Sequence, residues 1–184
     1  MTTVPRLFSA VELPDFVAAD LEARLDKVRT DAEVLRWVAA DSWHITLGFY
    51  GNREHADRRG AWLRRRATGL AAPRIRLASA GGFPGVLWIG VDSANRAAEH
   101  AMHAVAAAAK ADEGTDDLDF RPHVTVARWR RGPDRNPLAE RAALALGDYV
   151  GPWWIPRELV LFTSQLKPEG AIYSAVERVP LKVS

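Results

Sequence analysis

Two short runs constrain this chain more than any other feature. "SWHITLGFYG" spans residues 42–51 and "FRPHVTVARW" spans 120–129. Each sets a histidine and a threonine two apart inside a largely apolar run. Both read as strands, and in a strand residues i and i+2 project from one face. His44 and Thr46 therefore point the same way, as do His123 and Thr125, while Ile45 and Val124 point into whatever covers the sheet. The fold has to bury one face of both strands and leave an imidazole and a hydroxyl side by side on the other.

The remaining segments show what can surround those strands. "RLFSAVEL" (6–13) reads as a strand ended by Pro14, and 15–29 as a helix with Asp15 as its N-cap. A second helix is expected over 53–70, ending near Gly69. "RIRLASA" and "VLWIGVD" (86–92), joined through "GGFPG" (81–85), read as a hairpin. The alanine-rich stretch 93–113 is the strongest helix, with Ser93 as its cap, and the acidic "DEGTDDLD" follows as a loop. A short helix is expected around 138–147, then strands near 157–164 and 171–179 with "KPEG" (167–170) turning between them. Strands, helices and hairpins in this order give an α+β fold with antiparallel pairing. Each histidine strand is followed by a loop and a helix, which is a rough internal symmetry.

Composition narrows the chemistry. With no cysteine, the chain has no disulfide scaffold, thiolate metal site or cysteine nucleophile. Hydrophobic residues make up 48% and charged residues 26%, a balance that supports a packed core in one domain spanning 1–184. The short apolar start, interrupted by Glu12 and Asp15, is not read as a signal peptide, and no run has the roughly 18 apolar residues of a membrane span. The expectation is a cytoplasmic monomer. Arginine supplies 21 of the 25 basic residues, concentrated in "RRGAWLRRR" (58–66) and "RWRRG" (128–132). Guanidinium groups grip phosphate in a bidentate way. The alternative is that both clusters are solvated faces.

If the two histidine strands lie side by side, two imidazoles and two hydroxyls converge. That set suits phosphoryl transfer without a metal. In-line displacement puts attacking and leaving oxygens on opposite sides of phosphorus, so two proton carriers are needed. Histidine can serve in either role near neutral pH, and threonine hydroxyls can hold the non-bridging oxygens. A metal site is the competing chemistry: "EHAMH" (99–103) sets His100 and His103 on one helix face beside Glu99. On so alanine-rich a helix, exposed or partly packed histidines are the simpler reading.

The sequence resembles the two-histidine phosphoesterases, and within them the RNA 2′,3′-cyclic phosphodiesterases, the LigT-like or 2′-5′ RNA ligase family. "RLFSAVELP" looks like that family's opening strand, "WHITLGFYG" and "FRPHVTVAR" like its two motif segments. "GGFPGVLWIGV" and "LFTSQLKPEGAIY" look like its central and closing hairpins. The resemblance implies a bilobed fold of largely antiparallel sheets, with a pseudo-two-fold axis, a central cleft and helices outside. It implies hydrolysis of 2′,3′-cyclic phosphate ends to 2′-phosphomonoesters, with reversible 2′-5′ ligation as a related activity. By resemblance His44 is the acid and His123 the base, Thr46 and Thr125 bind the phosphate, and Arg121 adds charge. Arg128, Arg130 and Arg131 are candidate RNA contacts. No metal and no cofactor are expected, and the partners are RNA ends or small cyclic nucleotides. Phe162 and Gly48 depart from the family's usual residues and are expected to bear on substrate choice.

Two other functions fit the same residues. One is an RNA-end or nucleotide reader without turnover, using the arginines and the stacking surfaces of Trp129 and Phe83. The other is a phosphodiesterase acting on 2′-5′-linked oligonucleotides.

Overall fold

The computed structural model describes residues 5–29, 34–110, 120–130, 136–167 and 170–183. Strands β1 (Arg6–Glu12), β2 (Arg36–Trp37), β3 (His44–Gly51), β4 (Ile75–Phe83), β5 (Val86–Ser93), β6 (His123–Arg128), β7 (Glu158–Lys167) and β8 (Gly170–Pro180) form one eight-stranded sheet. Its order is β4-β5-β6-β3-β1-β7-β8, with β2 also pairing to β6, and the named strands pair antiparallel. The pseudo-two-fold axis passes between β6 and β3, where Ile45 pairs with Val124. Each histidine strand thus belongs to its own half of the sheet, flanked outward by β1 or β5.

Helices α1 (Asp15–Leu25), α2 (Ala56–Ala67), α3 (Arg96–Ala109) and α4 (Pro137–Ala145) connect the strands. Residues of all four join one core with Ile45 and Val124, which are fully buried. Burial of a side chain of that size contributes about 1.5–3 kcal/mol. The core fixes which strand face turns inward, and so sends His44, Thr46, His123 and Thr125 to the opposite face. There a smaller apolar cluster of Phe8, Ala10, Val160 and Phe162 lies under Tyr173.

Several local expectations need correction. Asp15 is the first residue of α1 and not its cap; Pro14 holds that position, without a side-chain hydrogen bond. α1 ends at Leu25, after its buried stripe of Val17, Leu21 and Leu25. α2 starts at Ala56, and α3 starts at Arg96 because Asn95, not Ser93, accepts from Ala98 N–H at 2.9 Å. β7 and β8 are longer than read, while the middle of the "KPEG" turn and the acidic loop lie outside the described residues. The two-residue strand β2 was not legible. It runs along the same edge of β6 as β3, and a 3-10 turn at Ala40–Ser42 separates the two.

One irregularity recurs in both halves. In β3 the register with β1 shifts between Thr46 and Gly48. In β6 the register with β5 shifts between Thr125 and Ala127. An extra residue in one strand reverses the facing of everything after it. Each threonine is thus followed by a bulge that returns its third successor to the histidine face: Phe49 in one half, Arg128 in the other. Gly48 faces the helices instead. A Cβ there would lie 2.4 Å from the Ala109 carbonyl oxygen and 2.9 Å from Tyr50 Oη. That oxygen accepts from Tyr50 Oη at 2.6 Å, and Tyr50 Oη also meets buried Ser9 Oγ at 2.7 Å. The structure gives Gly48 a packing reason instead: glycine is needed for this close approach.

Candidate active site

The antiparallel register around Ile45 and Val124 sets His44 across from Thr125 and Thr46 across from His123. All four predicted side chains share one face around the pseudo-axis. Outward, His44 pairs with Glu12 and Thr46 with Ala10, while His123 pairs with Gly90 and Thr125 with Trp88.

The two histidines are held alike. Nδ1 of His44 lies 2.8 Å from the Ser42 carbonyl oxygen, and Nδ1 of His123 lies 2.8 Å from the Arg121 carbonyl oxygen. A carbonyl only accepts, so Nδ1 carries the hydrogen in both rings. That leaves Nε2 of each ring as the atom that gains or loses a proton. In both cases the acceptor is two residues upstream, at the entry to the strand. The 3-10 turn places the Ser42 carbonyl and the Phe120–Pro122 segment places that of Arg121.

The surroundings differ. The His44 ring sits 4.9 Å from the Phe8 ring and 5.4 Å, edge-on, from Tyr173, measured between centroids. Phe8 stacks on Phe162 at 5.2 Å. This apolar floor desolvates His44 and is the main reason its pKa falls below 6.5; the positive charges of Arg128 and His123 lower it further, against the Ser42 hydrogen bond. Arg128 on β6 thus acts on the histidine of the other half. Glu12, beside His44, is engaged by Arg178 at 2.7 Å. His123 meets Phe83 edge-on at 5.4 Å and Trp88 at 6.2 Å. A cavity of about 510 Å³ opens on that side, walled by Phe83, Trp88, His103, Phe120 and Arg121.

The other candidates divide. Arg121 lines this cavity and Arg128 is exposed at the end of β6. Arg130 is exposed beyond it, and Arg131 lies outside the described residues. Trp129 packs against the core, so it is not a free stacking surface, whereas Phe83 is 38% exposed. His100 and His103 are exposed, and no group of three or more potential metal ligands occurs among the described residues. Phe8 and Tyr173 were missed as site residues. The alternation in β1 carried the signal for Phe8, since it shares a face with Ala10 and Glu12.

The profile of the 2′-5′ RNA ligase superfamily matches residues 17–161. The chain belongs to that superfamily. A Thermus thermophilus protein named RNA 2′,3′-cyclic phosphodiesterase is 32% identical over 96% of this chain and 90% of its own length. A Methanothermobacter thermautotrophicus protein of the same name is 26% identical over 94% and 96%. Among solved structures, Escherichia coli LigT complexed with 3′-AMP superposes with a TM-score of 0.69 at 23% identity, covering 97% of this chain and 99% of that one. This superfamily member therefore has the bilobed α+β fold of the two-histidine phosphoesterases. No helix among its described residues is long and apolar enough to cross a membrane.

Proposed function

We propose that this chain hydrolyses 2′,3′-cyclic phosphate ends of RNA, or small cyclic nucleotides, to 2′-phosphomonoesters. The observation that carries the reading is the matched pair of Nδ1–carbonyl bonds on His44 and His123, on either side of the Ile45–Val124 pair. Two imidazoles with Nε2 free give one proton acceptor and one proton donor across a phosphorus atom. In the proposed step, His123 Nε2 takes a proton from water as its oxygen attacks phosphorus. The bond from phosphorus to the 3′ oxygen breaks, and that oxygen receives the proton of His44 Nε2. Thr46 and Thr125 donate hydrogen bonds to the non-bridging oxygens, and Arg128 and Arg121 add positive charge. Burial and positive neighbours disfavour the charged form of His44 in the free protein. A bound phosphate anion offsets Arg128 and His123, so the proton His44 must give is held once substrate is in place. A 5′-hydroxyl in place of the water would close a 2′-5′ linkage by the same transfers.

The names of the Thermus and Methanothermobacter relatives support the substrate class. The proposed mechanism uses no metal or other cofactor, and the proposed compartment is the cytoplasm, where RNA ends are met. The test is a panel of cyclic-phosphate RNA ends, cyclic mononucleotides and 2′-5′-linked oligonucleotides assayed in EDTA. Turnover of the cyclic phosphates in EDTA is expected. Turnover only after a divalent ion is restored would overturn the metal-free mechanism, and binding without turnover would favour an RNA-end reader.

A further inference from the structure

The arginine-rich stretch on α2 has no part in the step above, and its residues divide in the fold. Arg64 pairs with Glu177 of β8. Arg66 donates to the Ala108 and Ala107 carbonyl oxygens at 2.9 and 3.2 Å, closing the C-terminus of α3, and stacks on Trp62. Arg59 pairs with Glu54 and lies over the Tyr50 and Trp62 rings at 4.4 and 4.3 Å. These three hold structure. Arg53, Arg58 and Arg65 make no hydrogen bond or ion pair with any described residue, yet they line one cavity of about 270 Å³ together with Glu54, Arg59 and Trp62.

That cavity has the features of an anion site. Its one lining carboxylate, Glu54, is already neutralised by Arg59, so three guanidinium charges remain uncompensated. Arg59 is 11% exposed, and its Nη1 is buried with no hydrogen-bond partner. That atom is closed to solvent, so Arg59 is a fixed wall of the cavity, and the exposed Arg53, Arg58 and Arg65 are the groups open to an anion. Arg59 and Arg66 already lie over the Trp62 ring, so the cavity offers charge rather than a free base-stacking surface.

Its position links it to the cleft. β3 runs from His44 to Gly51, seven residue steps or about 23 Å, and Arg53 follows after Asn52. Phe49 stands between them, 74% exposed, with its ring 6.3 Å from Phe8, which contacts His44. The cavity lies on the helix side, since Arg59 covers Tyr50, so a single strand whose end sits at the histidines would pass Phe49 and turn round the end of β3 to reach it. This alternation suits single-stranded nucleic acid.

We propose that the Arg53–Arg58–Arg65 cavity is a second phosphate site, which binds the backbone of a single-stranded RNA several nucleotides from its cyclic-phosphate end. The inference rests on the hydrolase reading for the location of that end. A mononucleotide cannot reach the cavity, so this site sets preference for length and leaves the chemistry alone.

The experiment compares wild type with R58Q/R65Q and R58E/R65E on two substrates, adenosine 2′,3′-cyclic phosphate and a cyclic-phosphate RNA of about twelve nucleotides. For the RNA, KM should rise about tenfold in the glutamine variant and further in the glutamate variant. The slope of log affinity against log salt should shrink by about 1.4, or 0.7 for each phosphate that is no longer neutralised. For the mononucleotide, kcat/KM should stay within twofold of wild type, which also reports that the variants are folded. Unchanged RNA affinity and salt slope in both variants would overturn the proposal. If wild type hydrolyses neither substrate, the hydrolase reading fails. Anisotropy titration of the variants with a labelled 3′-phosphate RNA of the same length still decides the arginine site: weakened binding supports it and unchanged binding refutes it.

Discussion

Replacing Phe8 with leucine tests whether the ring floor governs the protonation of His44. Phe8 is 4% exposed, and its ring centroid lies 4.9 Å from His44, 5.0 Å from Tyr173 and 5.2 Å from Phe162. Each such ring pair adds about 0.5–1.5 kcal/mol beyond the area it buries, so removing these three closest pairs costs about 1.5–4.5 kcal/mol. Leucine keeps much of the volume, which limits the cavity left behind. Urea unfolding should show that cost as a lower midpoint with the slope m unchanged. The second readout is His44 itself. Its largest perturbation is desolvation, and a smaller side chain admits water to the imidazole edge. The His44 pKa should then climb back toward 6.5, one unit for each 1.4 kcal/mol of solvation regained. NMR titration of the labelled ring reads this directly, and one inflection of the pH profile of kcat/KM should move up by the same amount. A wild-type unfolding midpoint would refute the stacking estimate. Lost stability with an unmoved His44 titration would show that Phe8 is not what desolvates the ring.

Three further outcomes are expected. His44 favours its neutral form in the fold, so the stability it contributes is complete above pH 6.5 and is lost as pH falls through the lowered folded pKa; thermal unfolding between pH 7.5 and 5 should show this slope, and H44Q should remove the His44 share of it. H44A and H123A should each lower turnover about 10²–10⁴-fold, and a substrate whose 3′ leaving group needs no proton should rescue H44A but not H123A; rescue of H123A alone would reverse the two roles. G48A puts a methyl group against the Ala109 carbonyl oxygen and Tyr50 Oη, and should cost about 1–3 kcal/mol in chemical denaturation, with kcat of the folded fraction unchanged; a stability equal to wild type would show that β3 moves away at no cost.

Much of this arrangement was legible because it follows from alternation. The spacing of two places each histidine beside its threonine, and the apolar residues between them fix which face is buried. What was not legible depends on partners remote in sequence. The two bulges each add one residue opposite a strand that has no counterpart, and nothing local marks Val126 as extra. The packing reason for Gly48 was not visible, since its neighbours, Ala109 and Tyr50, meet it only after α3 docks. β2 is too short to show a period, and Asn95 lies two residues past an equally good cap in Ser93. The arginines of α2 looked uniform. Glu177 and the end of α3 decide which of them are structural.

The matched bulges also bear on the direction in which a substrate can lie. A site made of two identical half-length peptides would present the same residue on both sides at the third position after threonine. It would then bind a cyclic phosphate equally well in either orientation, with each histidine acid half of the time. A single continuous chain is free of that rule. Here one arm offers the guanidinium of Arg128 and the other the ring of Phe49, so the two ends of the cleft are chemically unlike although the four central side chains repeat. Polarity is thus imposed from the rim. In the proposed reaction the symmetric centre would hold phosphorus, and the unlike surroundings outside it, Arg128 and Phe49 among them, would determine which oxygen faces which imidazole.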